Sequence, residues 1–66
     1  MNIFLNGESH PLENSCTISE LLAQLDLAGK PVVAELNEEA LTPTEQKTRP
    51  LQDGDRLELI TIAAGG

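Results

Sequence analysis

Only one stretch of the chain, TISELLAQL (17–25), carries a strong helical pattern, and nearly everything around it reads as extended. Ile18, Leu21, Leu22 and Leu25 fall at i, i+3, i+4 and i+7 and make one apolar stripe. Thr17 and Glu20 stand in capping-box spacing, where each side chain can satisfy an amide of the other's residue. Gly29 supplies a left-handed stop and Pro31 follows, which predicts a helix of about three turns. One helix can cover one face of a sheet and no more. The chain is therefore expected to fold as a two-layer α+β domain.

The strands around the helix carry their own signals. NIFLNGESHPL (2–12) holds Asn6-Gly7, the pair that best tolerates the positive φ values of a type I′ turn, so it predicts a β-hairpin. Pro11 cannot donate a ladder hydrogen bond, which puts the second strand at an edge. VVAELN (32–37) sets Val32, Ala34 and Leu36 against Val33, Glu35 and Asn37. EEALTPTEQKTRP (38–50) is polar and broken by prolines. It is expected to hold a short edge strand at 40–42 and a helical turn. An Asp53-Gly54-Asp55 turn opens the most strand-like run, RLELITI (56–62).

Alternation divides these strands into two faces. Met1, Ile3 and Leu5 share an inward set with Leu57, Leu59 and Thr61. That leaves Phe4, Ile60 and Ile62 facing away from the helix, and an apolar cluster on an acidic surface is a docking signal. A β-bulge that flips the register, or packing by the C-terminal residues, are the bland alternatives.

Size and charge narrow the function. A 66-residue chain makes one domain that buries only about 60% of its unfolded surface. With one Phe and no Trp or Tyr, no base-stacking platform can be built. A formal charge of −7 repels nucleic acid and anionic lipid and attracts basic protein surfaces. Cys16 has no partner for an internal disulfide, and no stretch has the length of a membrane span or the pattern of a secretion signal. A monomeric cytoplasmic protein is expected.

No catalytic constellation emerges. His10 and Cys16 are the only imidazole and thiol, too few for a zinc site, and Cys16 reads as a packing group. Asp53 and Asp55 offer too few oxygens for calcium, and Glu38-Glu39 reads as a solvated turn. Nothing here is expected to be an enzyme or to bind a cofactor or metal.

What remains is the end, Ala63-Ala64-Gly65-Gly66. Glycine reaches φ/ψ regions closed to other residues and lets another backbone approach closely, so a terminus of this kind can enter a second protein's active site. The bland reading is a frayed end. The chain therefore divides into a folded domain over 1–62 and a flexible tail over 63–66.

Together the opening NIFLNGE, the helix TISELLAQL, the strand VVAELN, the segment LQDGDRLELI and the tail AAGG resemble the ubiquitin-like β-grasp sulfur carriers, most closely those of thiamin biosynthesis. In that family the strand after the helix normally ends in Asn-Gly and is followed by a Val-Pro-Arg run with an aromatic. Here Asn37 precedes Glu38 and the later stretch reads LTPTEQ. The resemblance implies a mixed sheet of four to five strands with one helix on one face. It also implies a function in which an ATP-consuming, ubiquitin-activating-type enzyme (ThiF-like) adenylates the Gly66 carboxylate. A cysteine-derived sulfur donor then makes it a thiocarboxylate, which gives sulfur to thiazole synthase (ThiG-like). Phe4, Ile60 and Ile62 would meet these partners, with Ala63, Ala64 and Gly65 as the thin stem. The small subunit of molybdopterin synthase, a non-covalent ubiquitin-like module and a conjugated modifier are the competing readings.

Overall fold

The computed structural model describes residues 1–62. The elements run β1 (Asn2–Leu5), β2 (Glu8–Pro11), α1 (Ile18–Gln24), β3 (Val32–Leu36), β4 (Glu39–Ala40), α2 (Pro43–Thr48) and β5 (Arg56–Thr61). They build a five-stranded sheet in the order β2-β1-β5-β3-β4. The β1–β5 pair is parallel and the other pairs are antiparallel, so the sheet is mixed and β5 is its centre.

Asn6 and Gly7 take φ values of 50° and 83°, as a type I′ turn requires, and β1 and β2 pair antiparallel from Leu5↔Glu8 to Asn2↔Pro11. Pro11 does lie on an edge strand. α1 begins at the expected capping box: the Thr17 hydroxyl accepts from the Glu20 N–H at 3.2 Å, and the Glu20 carboxylate accepts from the Thr17 N–H at 2.9 Å.

Two details differ from the sequence reading. α1 has seven residues, about two turns rather than three. It stops because Asp26, not Gly29, takes the left-handed position at φ 62°. The Leu27 N–H reaches the Leu22 C=O at 2.8 Å and the Asp26 N–H the Ala23 C=O at 3.2 Å, which together make a Schellman ending. Gly29, at φ 80°, serves the next turn, closed by the Lys30 N–H on the Leu27 C=O at 3.1 Å.

The second difference is α2, a six-residue helix where only a helical turn was expected, while the edge strand β4 sits at Glu39–Ala40. Thr42 caps α2 and Pro43 occupies its first turn. Glu45 completes a second capping box with bonds of 3.0 and 3.2 Å.

One core lies between α1 and the sheet. Ile18, Leu21 and Leu22 of α1 pack with Ile3 of β1, Ala34 and Leu36 of β3, and Leu57 and Leu59 of β5; Leu12, Cys16, Leu41 and Leu51 close its rim. Truncating a fully buried leucine such as Leu57 to alanine costs about 2–5 kcal/mol, a large share of what a domain this small possesses.

Candidate functional site: the open face of the sheet and the root of the tail

The inward alternation of β5 leaves Arg56, Glu58 and Ile60 on the face away from α1. Ile60 and Ile62 are about half exposed, and so is Phe4. The β3–β5 ladder runs unbroken from Leu36↔Leu57 to Val32↔Thr61, so no bulge turns these side chains inward.

Register decides how they group. Ile60 is directly opposite Val33, itself 39% exposed, and Ile62 follows just past the end of β5. Phe4 pairs with Arg56, four residues earlier on β5, which sets it about 13 Å back along the strand. The sequence reading grouped Phe4 with Ile60 and Ile62 as one cluster. The structure instead gives that place to Val33 and moves Phe4 to the far end of the open face. Alternation had set Val33 apart from Val32, Ala34 and Leu36, but only the β3–β5 register brings it against Ile60 on this face.

Between the two apolar ends lies an acidic rung, since Glu35 and Glu58 are directly opposed across β3 and β5. Like charges in that relation repel by a few tenths of a kcal/mol up to about 1 kcal/mol. The arrangement suits a surface that meets basic groups.

β5 is held on both sides, on the β1 side as far as Leu59 and on the β3 side as far as Ile62. Toward β3, the Ile62 N–H donates to the Pro31 C=O at 3.0 Å. Toward β1, backbone bonds from Phe4 and Asn6 reach Asp55 and Leu57, and then β1 turns away. The Asn6 carboxamide takes over: its Oδ1 accepts from the Leu59 N–H at 2.8 Å and its Nδ2 donates to the Leu59 C=O at 3.3 Å.

Asn37 does similar work at the start of β5. Its Oδ1 accepts from the Arg56 N–H at 2.9 Å and its Nδ2 donates to Asp55 at 3.1 Å. The Asp53-Gly54-Asp55 turn is thereby explained. Asp53 accepts the Asn2 N–H at 2.7 Å, Gly54 donates to the Asn2 C=O at 2.7 Å, and Asp55 accepts the Gln52 N–H at 2.8 Å. These carboxylates tie strands together.

The remaining candidates fall elsewhere. Cys16 is buried in the core rim, and burial, aided by the nearby Glu20 carboxylate, pushes its thiol pKa up, away from the reactive range. Among the described residues no three His, Cys, Asp or Glu side chains gather as a metal site. A cleft of about 470 Å³ beside Leu12, Glu13 and Cys16 sits at the opposite end of the sheet from Ile62. Among the described residues no helix is long and apolar enough to cross a membrane. Ala63, Ala64, Gly65 and Gly66 lie outside the described residues.

Comparison with known proteins meets this geometry along the whole chain. The chain is 42% identical over 64 residues to the sulfur carrier protein ThiS of Thermus thermophilus, an alignment covering 97% of this chain and 98% of that one. It is 30% identical over 66 residues to a thiazole synthase of Paramagnetospirillum magneticum, where it spans 20% of the longer protein. The crystal structure of the thiamine biosynthesis protein ThiS from Geobacter metallireducens superposes with a TM-score of 0.83 at 32% identity, covering all of both chains. The ThiS family model matches residues 3–66, through the final Gly65-Gly66. With its mixed β-grasp sheet and its central strand leading into that tail, the chain belongs to the ThiS family of sulfur carriers.

Proposed function

We propose that the chain carries sulfur for thiamin biosynthesis as a thiocarboxylate on Gly66. The observation that carries this reading is the family match through Gly65-Gly66, joined to a central strand held on both sides up to Leu59 and on the β3 side through Ile62. A carboxylate is a poor acyl donor. A partner of the ubiquitin-activating type would use ATP to form the Gly66 acyl-adenylate and release pyrophosphate. The terminal sulfur of a cysteine persulfide then bonds to the Gly66 carbonyl carbon as AMP leaves. A thiol cleaves the sulfur–sulfur bond, becoming a disulfide with the donor cysteine and leaving the thiocarboxylate. The chain itself brings no bound cofactor and is acted on by its partners in the cytoplasm.

The thiocarboxylate would then supply thiazole synthase. Support comes from the thiazole synthase whose polypeptide contains a stretch similar to this entire chain. The same names favour thiazole over molybdopterin chemistry. In docking, Val33, Ile60 and Ile62 would seat the carrier against a partner, and the Glu35–Glu58 rung would meet basic side chains.

The test is mass spectrometry of the chain isolated from its native host. An oxygen-to-sulfur mass gain confined to the C-terminal peptide is expected, and a Gly66 deletion should lose it while keeping its circular dichroism spectrum. An unmodified C-terminus under thiamin starvation, when sulfur demand is highest, would overturn the reading in favour of a non-covalent module.

A further inference from the structure

Asn6 is followed by Gly7, which lacks the Cβ that in other residues keeps the backbone nitrogen away from an asparagine carboxamide. A Cβ built on Gly7 would meet nothing within 4 Å, so the turn is unshielded. The Asn6 carboxamide is nevertheless engaged, through its bonds of 2.8 and 3.3 Å to Leu59. Turning it toward the Gly7 nitrogen breaks both.

We propose that Asn6 is a deamidation site whose reactivity is gated by this clamp. When the clamp opens, the deprotonated backbone nitrogen of Gly7 bonds to Cγ of Asn6. The bond from Cγ to Nδ2 breaks, and the departing nitrogen leaves as ammonia after taking one proton from water, which replaces the one lost from the Gly7 N–H. Water then opens the cyclic imide at one of its two carbonyls, giving aspartate or isoaspartate. One water is consumed, one ammonia is released and nothing is oxidised or reduced.

The product cannot close the clamp again. A carboxylate has no N–H for the Leu59 carbonyl and sets negative charge against it. Isoaspartate also places the side-chain carbon in the main chain and lengthens the turn. Opening is a local event, because β1 and β5 share only the pairs Phe4↔Arg56 and Leu5↔Leu57. Each opening is thus a chance for an irreversible chemical mark on the turn that holds Leu59 of the central strand. This inference does not depend on sulfur carriage.

The test incubates the full chain in mildly alkaline buffer with and without urea, followed by peptide mapping for the NH2-to-OH mass change. Asn2, Asn14 and Asn37, each followed by a residue with a side chain, are internal controls. In urea, Asn6 should convert faster than all three. In the folded chain its rate should fall by about tenfold or more, and the converted fraction should melt at lower temperature. Equal Asn6 rates in the two conditions would overturn the gate. A rate in urea no greater than that of Asn14 would overturn the site.

Discussion

Asn6 holds the backbone of Leu59 by both of its polar groups, accepting from the N–H at 2.8 Å and donating to the C=O at 3.3 Å. A side chain thereby finishes a parallel ladder that the β1 backbone leaves. Asn6→Ala should lose two hydrogen bonds worth about 1 kcal/mol each and add strain at φ 50°, for a total of about 2–3 kcal/mol. Asn6→Gly keeps the conformation and should cost less. Urea or thermal unfolding of both variants reads the difference, and an Asn6→Ala variant as stable as the parent would mean the clamp contributes nothing.

Asp26 and Glu38 hold left-handed conformations, at φ 62° and 71°, where glycine is the ordinary choice. That conformation costs an L-residue about 1–2 kcal/mol, and glycine's greater freedom in the unfolded chain gives back about 0.4–1 kcal/mol. Asp26→Gly and Glu38→Gly should each stabilise the fold by about 0.5–1 kcal/mol, or a few degrees in melting temperature. Asp26→Gly has a further gain, because it removes a negative charge from the carbonyl end of α1, whose last turn has no basic residue. A drop in melting temperature for either would contradict the strain assignment.

Ile60→Asp should disable docking without unfolding the chain. The side chain is half exposed, so the stability cost should stay near 1 kcal/mol, while adenylation by an activating enzyme should slow by about tenfold or more. Phe4→Asp, placed on the rung of Arg56, should slow it less. Pyrophosphate release at limiting carrier concentration measures both. Equal losses would mean that one footprint spans the whole open face.

Glu58→Lys separates folding from association. It replaces the Glu35–Glu58 repulsion with attraction and should add about 0.2–1 kcal/mol of stability. Association with a basic partner should become slower and less sensitive to salt. Stopped-flow association rates at two salt concentrations check this. An unchanged rate would remove the acidic rung from the interface.

Glu45 provides a pH signature for α2. The Thr42 N–H, then the Thr42 hydroxyl, with Arg49 contributing less, hold its carboxyl below the ordinary glutamate value against a small opposing effect of desolvation. A carboxylate whose folded pKa is depressed stabilises the fold above its unfolded pKa, and that stabilisation fades as pH falls through the folded value. The Thr42 amide resonance should therefore titrate with a midpoint below that of glutamate in the unfolded chain. A midpoint at or above it would remove the capping bond.

Local pattern made most of the frame readable. Asn6-Gly7, the Thr17–Glu20 box and the alternation through Leu57 and Leu59 each signal their element within a few residues. The full extent of α2 escaped because none of its residues is buried, so no apolar stripe marks it, although Thr42-Pro43-Thr44-Glu45 carries the same capping signal as α1. The helix end escaped because an aspartate took a glycine's place. The open face was misgrouped for a different reason. Which β5 residue meets Phe4 is a matter of register between strands about fifty residues apart, and nothing in either strand alone records it. The Asn6–Leu59 clamp was hidden in the same way, its partners standing 53 positions apart.

The order β2-β1-β5-β3-β4 has a consequence for biosynthesis. The strand that joins the two hairpins is the last of the five to be synthesised, so the halves wait unjoined until translation has passed Arg56. Termination before Arg56 leaves two hairpins with no central strand to join them. Such fragments keep their apolar strands uncovered and are open to proteases from the start.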